Sequence, residues 1–110
     1  MPTTYKNAQL QGTASTSSYG TLYNTGASTT AVVSTIVITN TAAATATYRI
    51  AIMASAGTPA AANWIAYDAT LGANDSIFLG AGITLSNTQY IRVSSSATTV
   101  TFSAYISELS

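Results

Sequence analysis

The chain has 110 residues, and only 5% of them are charged: three basic and three acidic, with no histidine and no cysteine. An ordinary soluble domain carries about 25% charged residues. The composition excludes a Ser–His–Asp triad, a thiolate metal site and a disulfide framework, and it argues against phosphate neutralisation by a basic face.

The charged residues are Lys6, Arg49, Asp68, Asp75, Arg92 and Glu108. The length fits one domain, large enough to bury roughly two-thirds of the surface of its unfolded chain. Met1 to Leu10 has no basic region followed by an apolar run, so no secretory signal is expected. The best apolar stretch, Ala31–Ile38, is broken by Ser34 and Thr35 and falls short of the ~18 residues a membrane helix needs. Neither a membrane nor a nucleic acid is expected as a partner, and no cofactor is expected.

Residues 1–18 hold few large apolar side chains and end in Thr13-Ala14-Ser15-Thr16-Ser17-Ser18. They read as an N-terminal arm or edge strand, with Lys6–Gly12 as the pairing segment, and residues 19–110 as the domain proper. Thr21–Asn24 is a short strand candidate. In Val32–Asn40, Val32, Ile36 and Ile38 fall on one face, and Val33 and Val37 on the other. Ala46–Ile52 alternates more cleanly, with Tyr48, Ile50 and Ile52 inward and Thr47 and Arg49 outward. Pro59–Asn63 can form one helical turn with proline at its first position.

Asn63–Asp68 and Ser76–Leu79 are further short strands. Tyr90–Val93 points Ile91 and Val93 inward and Arg92 outward. Val100–Ser107 carries the clearest alternation, with Val100, Phe102, Ala104 and Ile106 on one face and Thr101, Ser103, Tyr105 and Ser107 on the other. Turn residues separate these runs at Asn24-Thr25-Gly26, Asn40-Thr41, Gly57-Thr58-Pro59, Gly72-Ala73-Asn74-Asp75, Gly80-Ala81-Gly82 and Ser86-Asn87-Thr88. About seven or eight short strands with closely spaced turns predict an all-β fold: a single antiparallel sandwich, jelly-roll-like, with an N-terminal arm.

Few residues can carry chemistry. Lys6 is the one amine that can serve as a base, and it lies in the arm. Asp68 and Asp75 stand seven apart around the loop Ala69–Asn74. They suit turn capping first, then a cation such as Ca2+ held with Asn74, and last acid–base work on a sugar. Trp64 and Tyr67 suit a core or subunit interface, or a carbohydrate platform beside Asp68. Arg49 and Arg92 both sit mid-strand on outward faces. On neighbouring strands they would repel, so the pattern predicts that they lie apart, or that each finds Asp68, Asp75 or Glu108. No residue is assigned as catalytic or metal-binding. The interface candidates are Arg49, Arg92, Trp64, Tyr67, Asp68 and Asp75.

Several segments together resemble a known group. They are Thr21-Leu22-Tyr23, Thr30 to Thr41, Ala46 to Ile52, Ile65-Ala66-Tyr67-Asp68-Ala69, Ala73-Asn74-Asp75-Ser76, Gly82-Ile83-Thr84-Leu85 and Phe102-Ser103-Ala104. Over roughly residues 19–108 this order is similar to small virion structural proteins of tailed bacteriophages, notably those of cyanobacteria. The resemblance implies a β-sandwich without enzymatic activity, present in many copies on the outer surface of the particle. It points first to a capsid decoration (cement) protein: a homo-oligomer, with a trimer favoured, that bridges subunits of the major capsid protein. A tail, neck or fibre module that contacts host glycans is the alternative. The chain departs from the group at Asn24-Thr25-Gly26, where relatives often have proline, and residues 1–18 lie outside the resemblance.

Thr and Ser stand at outward strand positions where a free monomer would carry Lys and Glu to block edge pairing. The outside of the sandwich is therefore expected to be an interface.

Overall fold

A computed structural model describes residues 3–54, 59–80 and 82–109. Among these are nine strands and one 3₁₀ turn: β1 (Thr3–Gln11), β2 (Gly20–Asn24), β3 (Thr30–Asn40), β4 (Ala46–Met53), the turn Ala61–Asn63, β5 (Trp64–Leu71), β6 (Ser76–Leu79), β7 (Ile83–Leu85), β8 (Tyr90–Ser95) and β9 (Val100–Leu109). The expected turn at Gly57-Thr58 and the middle of Gly80-Ala81-Gly82 lie outside the described residues. The helical turn expected at Pro59–Asn63 is present but spans only Ala61–Asn63, so Pro59 precedes it instead of taking its first position; the Ala60 N–H donates to Asn63 Oδ1 at 2.8 Å.

The strands form two antiparallel sheets, one of five strands in the order β1-β9-β3-β6 with β7 also on β3, the other in the order β2-β8-β4-β5. β6 and β7 occupy adjacent stretches of one edge of β3, pairing Ile36–Thr39 and Ala31–Val33. Taken as one interrupted strand, they leave two four-stranded sheets with jelly-roll connectivity, in which the chain passes repeatedly from one sheet to the other. The fold is the all-β sandwich that the alternation predicts.

Period two makes the core. From β9, Val100, Phe102, Ala104 and Ile106 point inward and are buried. They stand opposite Asn40, Ile38, Ile36 and Val33 of β3. Ile50, Ile91, Val93 and Leu71 close the core from the other sheet. The Tyr48 and Phe102 rings meet edge to face across the sheets at 6.4 Å and 72°. Each fully buried side chain of this size contributes about 1.5–3 kcal/mol.

β3 departs from the simple alternation. The register slips between Val33 and Thr35, so Ser34 is bulged and every side chain before it changes face. Val33 is buried with Ile36 and Ile38, while Val32, expected on their face, is 45% exposed. β2 behaves likewise, with a slip between Thr21 and Tyr23 that leaves Leu22 in the core.

Two buried polar residues pin the loops. The Asn40 amide donates to the carbonyl oxygens of Ala44 and Gly72, and its Oδ1 accepts from Ala42 N–H and the Thr99 hydroxyl. The Thr25 hydroxyl donates to Ser86 O at 2.8 Å and accepts from Gln89 N–H at 2.9 Å. Each burial is offset by these bonds.

Residues 3–11 form an edge strand paired along its whole length with β9. The chain then leaves one sheet for the other at Gly12, whose N–H donates to Val100 O at 2.6 Å. A Cβ there would lie 2.5 Å from that carbonyl oxygen and collide with Ser95 Oγ, so only glycine fits. Residues 13–19 lie as a strap against β8 and β4 of the four-stranded sheet. Thr13 and Ser95 exchange hydrogen bonds, and Ser94 Oγ donates to Thr16 O at 2.9 Å.

Candidate functional site

Two surfaces stand out, on opposite outer faces of the sandwich. The first is a polar–aromatic cluster on the four-stranded sheet. Arg49 extends outward from β4, opposite a stretch of β5 where the register slips between the pairs Tyr48–Ala69 and Ile50–Ala66. The slip leaves Tyr67 and Asp68 together facing Arg49, with Asp68 in the left-handed conformation at φ 50°. Aspartate tolerates that conformation better than most residues. The guanidinium and carboxylate then meet as a fork: Nε donates to Oδ1 at 2.6 Å and Nη2 to Oδ2 at 3.1 Å.

Aromatic rings surround the pair. The guanidinium carbon lies 4.1 Å from the Tyr67 ring centroid and 5.7 Å from that of Trp64, a cation–π arrangement. Trp64 meets Tyr67 edge to face at 4.9 Å, and Tyr19 at 5.9 Å with the rings tilted by 44°. Nη1 donates to the Tyr19 hydroxyl and to Thr16 O, which ties the strap to the cluster. The bonds from Arg49 hold the Asp68 carboxyl below its ordinary pKa, and the bond to Asp68 pushes the guanidinium up. Asp68 therefore stays ionised near neutral pH and is a poor proton donor there.

The structure brings Arg49, Trp64, Tyr67 and Asp68 together, four of the six candidates. Arg92 is their neighbour, which corrects the expectation that the two arginines lie apart. β4 and β8 are adjacent, and Ala51 rather than Arg49 stands opposite Arg92. The two-residue offset and the strap reconcile the like charges. Tyr19 accepts from Arg49 through its hydroxyl and from Arg92 through its carbonyl oxygen. Arg92 has no carboxylate partner among the described residues; its Nη1 donates to the Thr21 hydroxyl at 2.7 Å. Nothing in the sequence singles out Tyr19, an aromatic at the end of a Ser/Thr run, because its role depends on where the strap crosses.

Asp75 does not join the cluster. Its Oδ1 accepts from Ser76 N–H and its carbonyl oxygen from Asn40 N–H, so it serves the turn before β6. Asp68 and Asp75 thus face different partners. Among the described residues, no three acidic side chains gather in a form that would hold a metal.

Glu108 and Lys6 pair at 3.0 Å on the inward side of β9 and β1, and the Tyr23 hydroxyl donates to Glu108 from the opposite sheet. The Tyr23 bond, reinforced by Lys6, outweighs burial and holds the Glu108 carboxyl below its ordinary value. Burial, and then Glu108, push the Tyr23 hydroxyl up.

The second surface is the outer face of the five-stranded sheet. Strand parity places Tyr5, Asn7, Gln9 and Gln11 of β1 there, beside Thr101, Ser103, Tyr105 and Ser107 of β9. Val32, Thr35, Val37 and Thr39 of β3 follow, then Thr84 and Phe78. None of the charged residues takes an outward position on this sheet. Tyr5 is 82% exposed, Phe78 72% and Tyr105 47%. A shallow groove of about 250 Å³ crosses one end, lined by Thr3, Val32, Thr84, Ser107 and Leu109 among others.

Comparison with protein families, with curated proteins and with solved structures finds no match. The functional reading therefore rests on the geometry of these two surfaces and on the sequence.

Proposed function

We propose that this protein is a non-enzymatic virion structural protein: a capsid decoration protein that forms a homo-oligomer and bridges subunits of the major capsid protein. One observation carries the reading. A broad sheet face made by five strands bears no charge and exposes Tyr5, Phe78, Tyr105 and Val32. Isolated monomers rarely leave such a face uncovered. Neutral hydroxyl and amide side chains can be buried against a partner without the desolvation cost of ions. The sandwich fold by itself does not choose the function; the resemblance of residues 19–108 to phage virion proteins supports the choice.

The mechanism is mechanical. The bare face lies on the shell at a junction between subunits. The strapped face, locked by Arg49 and Asp68, keeps the sandwich rigid under outward pressure. The test is to image particles with and without the protein and to heat both. Density on the head lattice, and loss of heat resistance when the protein is removed, are the expected results. Density on the tail with unchanged head stability overturns the reading.

One feature favours a tail, neck or fibre module as the second reading. Tyr67 is 56% exposed beside Trp64, and the Asp68 side chain is 44% exposed. A ring next to a carboxylate can seat a sugar of the host surface. Quenching or a shift of Trp64 fluorescence on titration with host glycans supports that alternative, and an unchanged spectrum removes it.

A further inference from the structure

The two sheets have four edges, formed by β1, by β6 with β7, by β2 and by β5. Three of them are blunted. β6 and β7 have only four and three residues. β2 has five residues and a bulge. β5 slips register twice against β4 and carries Asp68 at φ 50°. Interruptions of this kind keep an edge from pairing with another chain. β1 has none of them: its nine residues pair with β9 in unbroken register from Thr3 to Gln11. A lysine is a common edge guard, but Lys6 is held 3.0 Å from Glu108 of its own chain.

We infer that β1 is a dimerisation edge, at which two copies join β1 to β1 antiparallel about a two-fold axis through Asn7. The inference rests on the assembly reading above and puts a two-fold pair in place of the trimer that the resemblance favours. A second copy is the occupant because an unbroken nine-residue edge is best matched by its own equal, and the other edges are too short or bulged.

The register agrees. Pairing all nine residues sets Thr3 opposite Gln11, Tyr5 opposite Gln9 and Asn7 opposite Asn7. Lys6 then faces Ala8 of the other copy, so no like charges stand directly opposite. The same parity keeps Tyr5 and Gln9 outward in both copies, and the two bare faces merge into one. The contact is isologous and closes on itself, so it does not propagate into fibres.

Cysteine cross-linking tests this on the full chain, which has no cysteine of its own. Opposed residues in an antiparallel pair have Cα atoms about 4.5–5.5 Å apart, within disulfide range. Asn7→Cys should therefore form a covalent dimer under mild oxidation. Gln9→Cys, at an equally exposed position, sets the two thiols roughly 13 Å apart along the strand and should cross-link at least about tenfold more slowly.

A second variant guards against misfolding. Tyr5→Lys with Gln9→Lys should be a folded monomer by circular dichroism and sedimentation. Mixing it with Tyr5→Glu plus Gln9→Glu should restore the dimer. Equal cross-linking at both positions, no cross-linking at Asn7→Cys, or a wild-type chain that sediments as monomer or trimer overturns the inference. The two readings fail separately. A trimer that still decorates particles overturns the dimer alone, and a dimer that never docks overturns the proposed function alone.

Discussion

The two outer faces of the sandwich handle polarity in opposite ways. The face of the four-stranded sheet carries Arg49 and Arg92, with Asp68 beside them. The chain's own strap, residues 13–19, supplies further acceptors to both, beyond Asp68 for Arg49 and Thr21 for Arg92. The face of the five-stranded sheet carries no charge and no strap, and leaves Tyr5, Phe78 and Tyr105 open. Charge sits where the molecule folds onto itself, because a fixed internal partner can neutralise it. Charge is missing where a second body is expected, because an ion buried there would need a partner placed with equal accuracy. The strapped face spends its charge on internal bonds, and the bare face is the one proposed for contact.

Substitutions on the two faces should separate those roles. The largest effect is expected at the root of the strap. Gly12→Val should cost about 3 kcal/mol in chemical denaturation, since its side chain has no room beside Val100 O and Ser95 Oγ. An unchanged midpoint would mean that the strap does not cross there. Next, Arg49→Met should cost about 2 kcal/mol, as the strap loses its bonds through Thr16 and Tyr19. Faster proteolysis within residues 13–19 is the accompanying readout; an unaltered cleavage pattern would mean that Arg49 does not hold the strap.

Acid gives a smaller effect with a definite sign. The folded carboxyls of Asp68 and Glu108 both titrate below their ordinary values of 3.8 and 4.5. The stability they contribute is therefore fully present above about pH 4.5 and is lost as pH falls through the lower, folded values. Glu108→Gln should flatten that acid limb in a pH series of thermal melts, and an identical limb in the variant would show that other groups set it. The bare face should behave differently. It bears no charged residue, so self-association or docking through it should change little with salt between about 0.05 and 0.5 M. A steep loss of binding with salt would place the contact on the charged face instead.

The smallest effect on stability is expected at Phe78→Thr, within about 0.5 kcal/mol, because the ring is exposed and outside the core. The same variant should clearly weaken docking to the shell. Unchanged docking would remove the bare face from the contact.

Much of the fold was legible because strand parity is local. The alternation of Val100 to Ser107 reads directly as an inner and an outer face, and β9 has both where expected. The sandwich class followed from many such runs. The error at Val32 came from Ser34, where an extra residue shifts the period and no side-chain signal marks the bulge. The site was legible in part. Trp64, Tyr67 and Asp68 were close in sequence, and Arg49 was an outward charge in search of a partner. Tyr19 was hidden, because its neighbours come from strands far along the chain.

Composition and strand alternation alone establish the class of fold, the scarcity of charge and the identity of the residues able to form an ion pair. Which sheet each charge lies on, and which partner it meets, follow from the tertiary fold. A one-residue slip moves a side chain to the opposite side of a sheet, and the slips at Ser34 and at Tyr67–Asp68 are set by pairing between strands. The same long-range pairing left β1 as an uninterrupted edge and gathered the outward hydroxyls, amides and rings of five strands onto one uncharged surface.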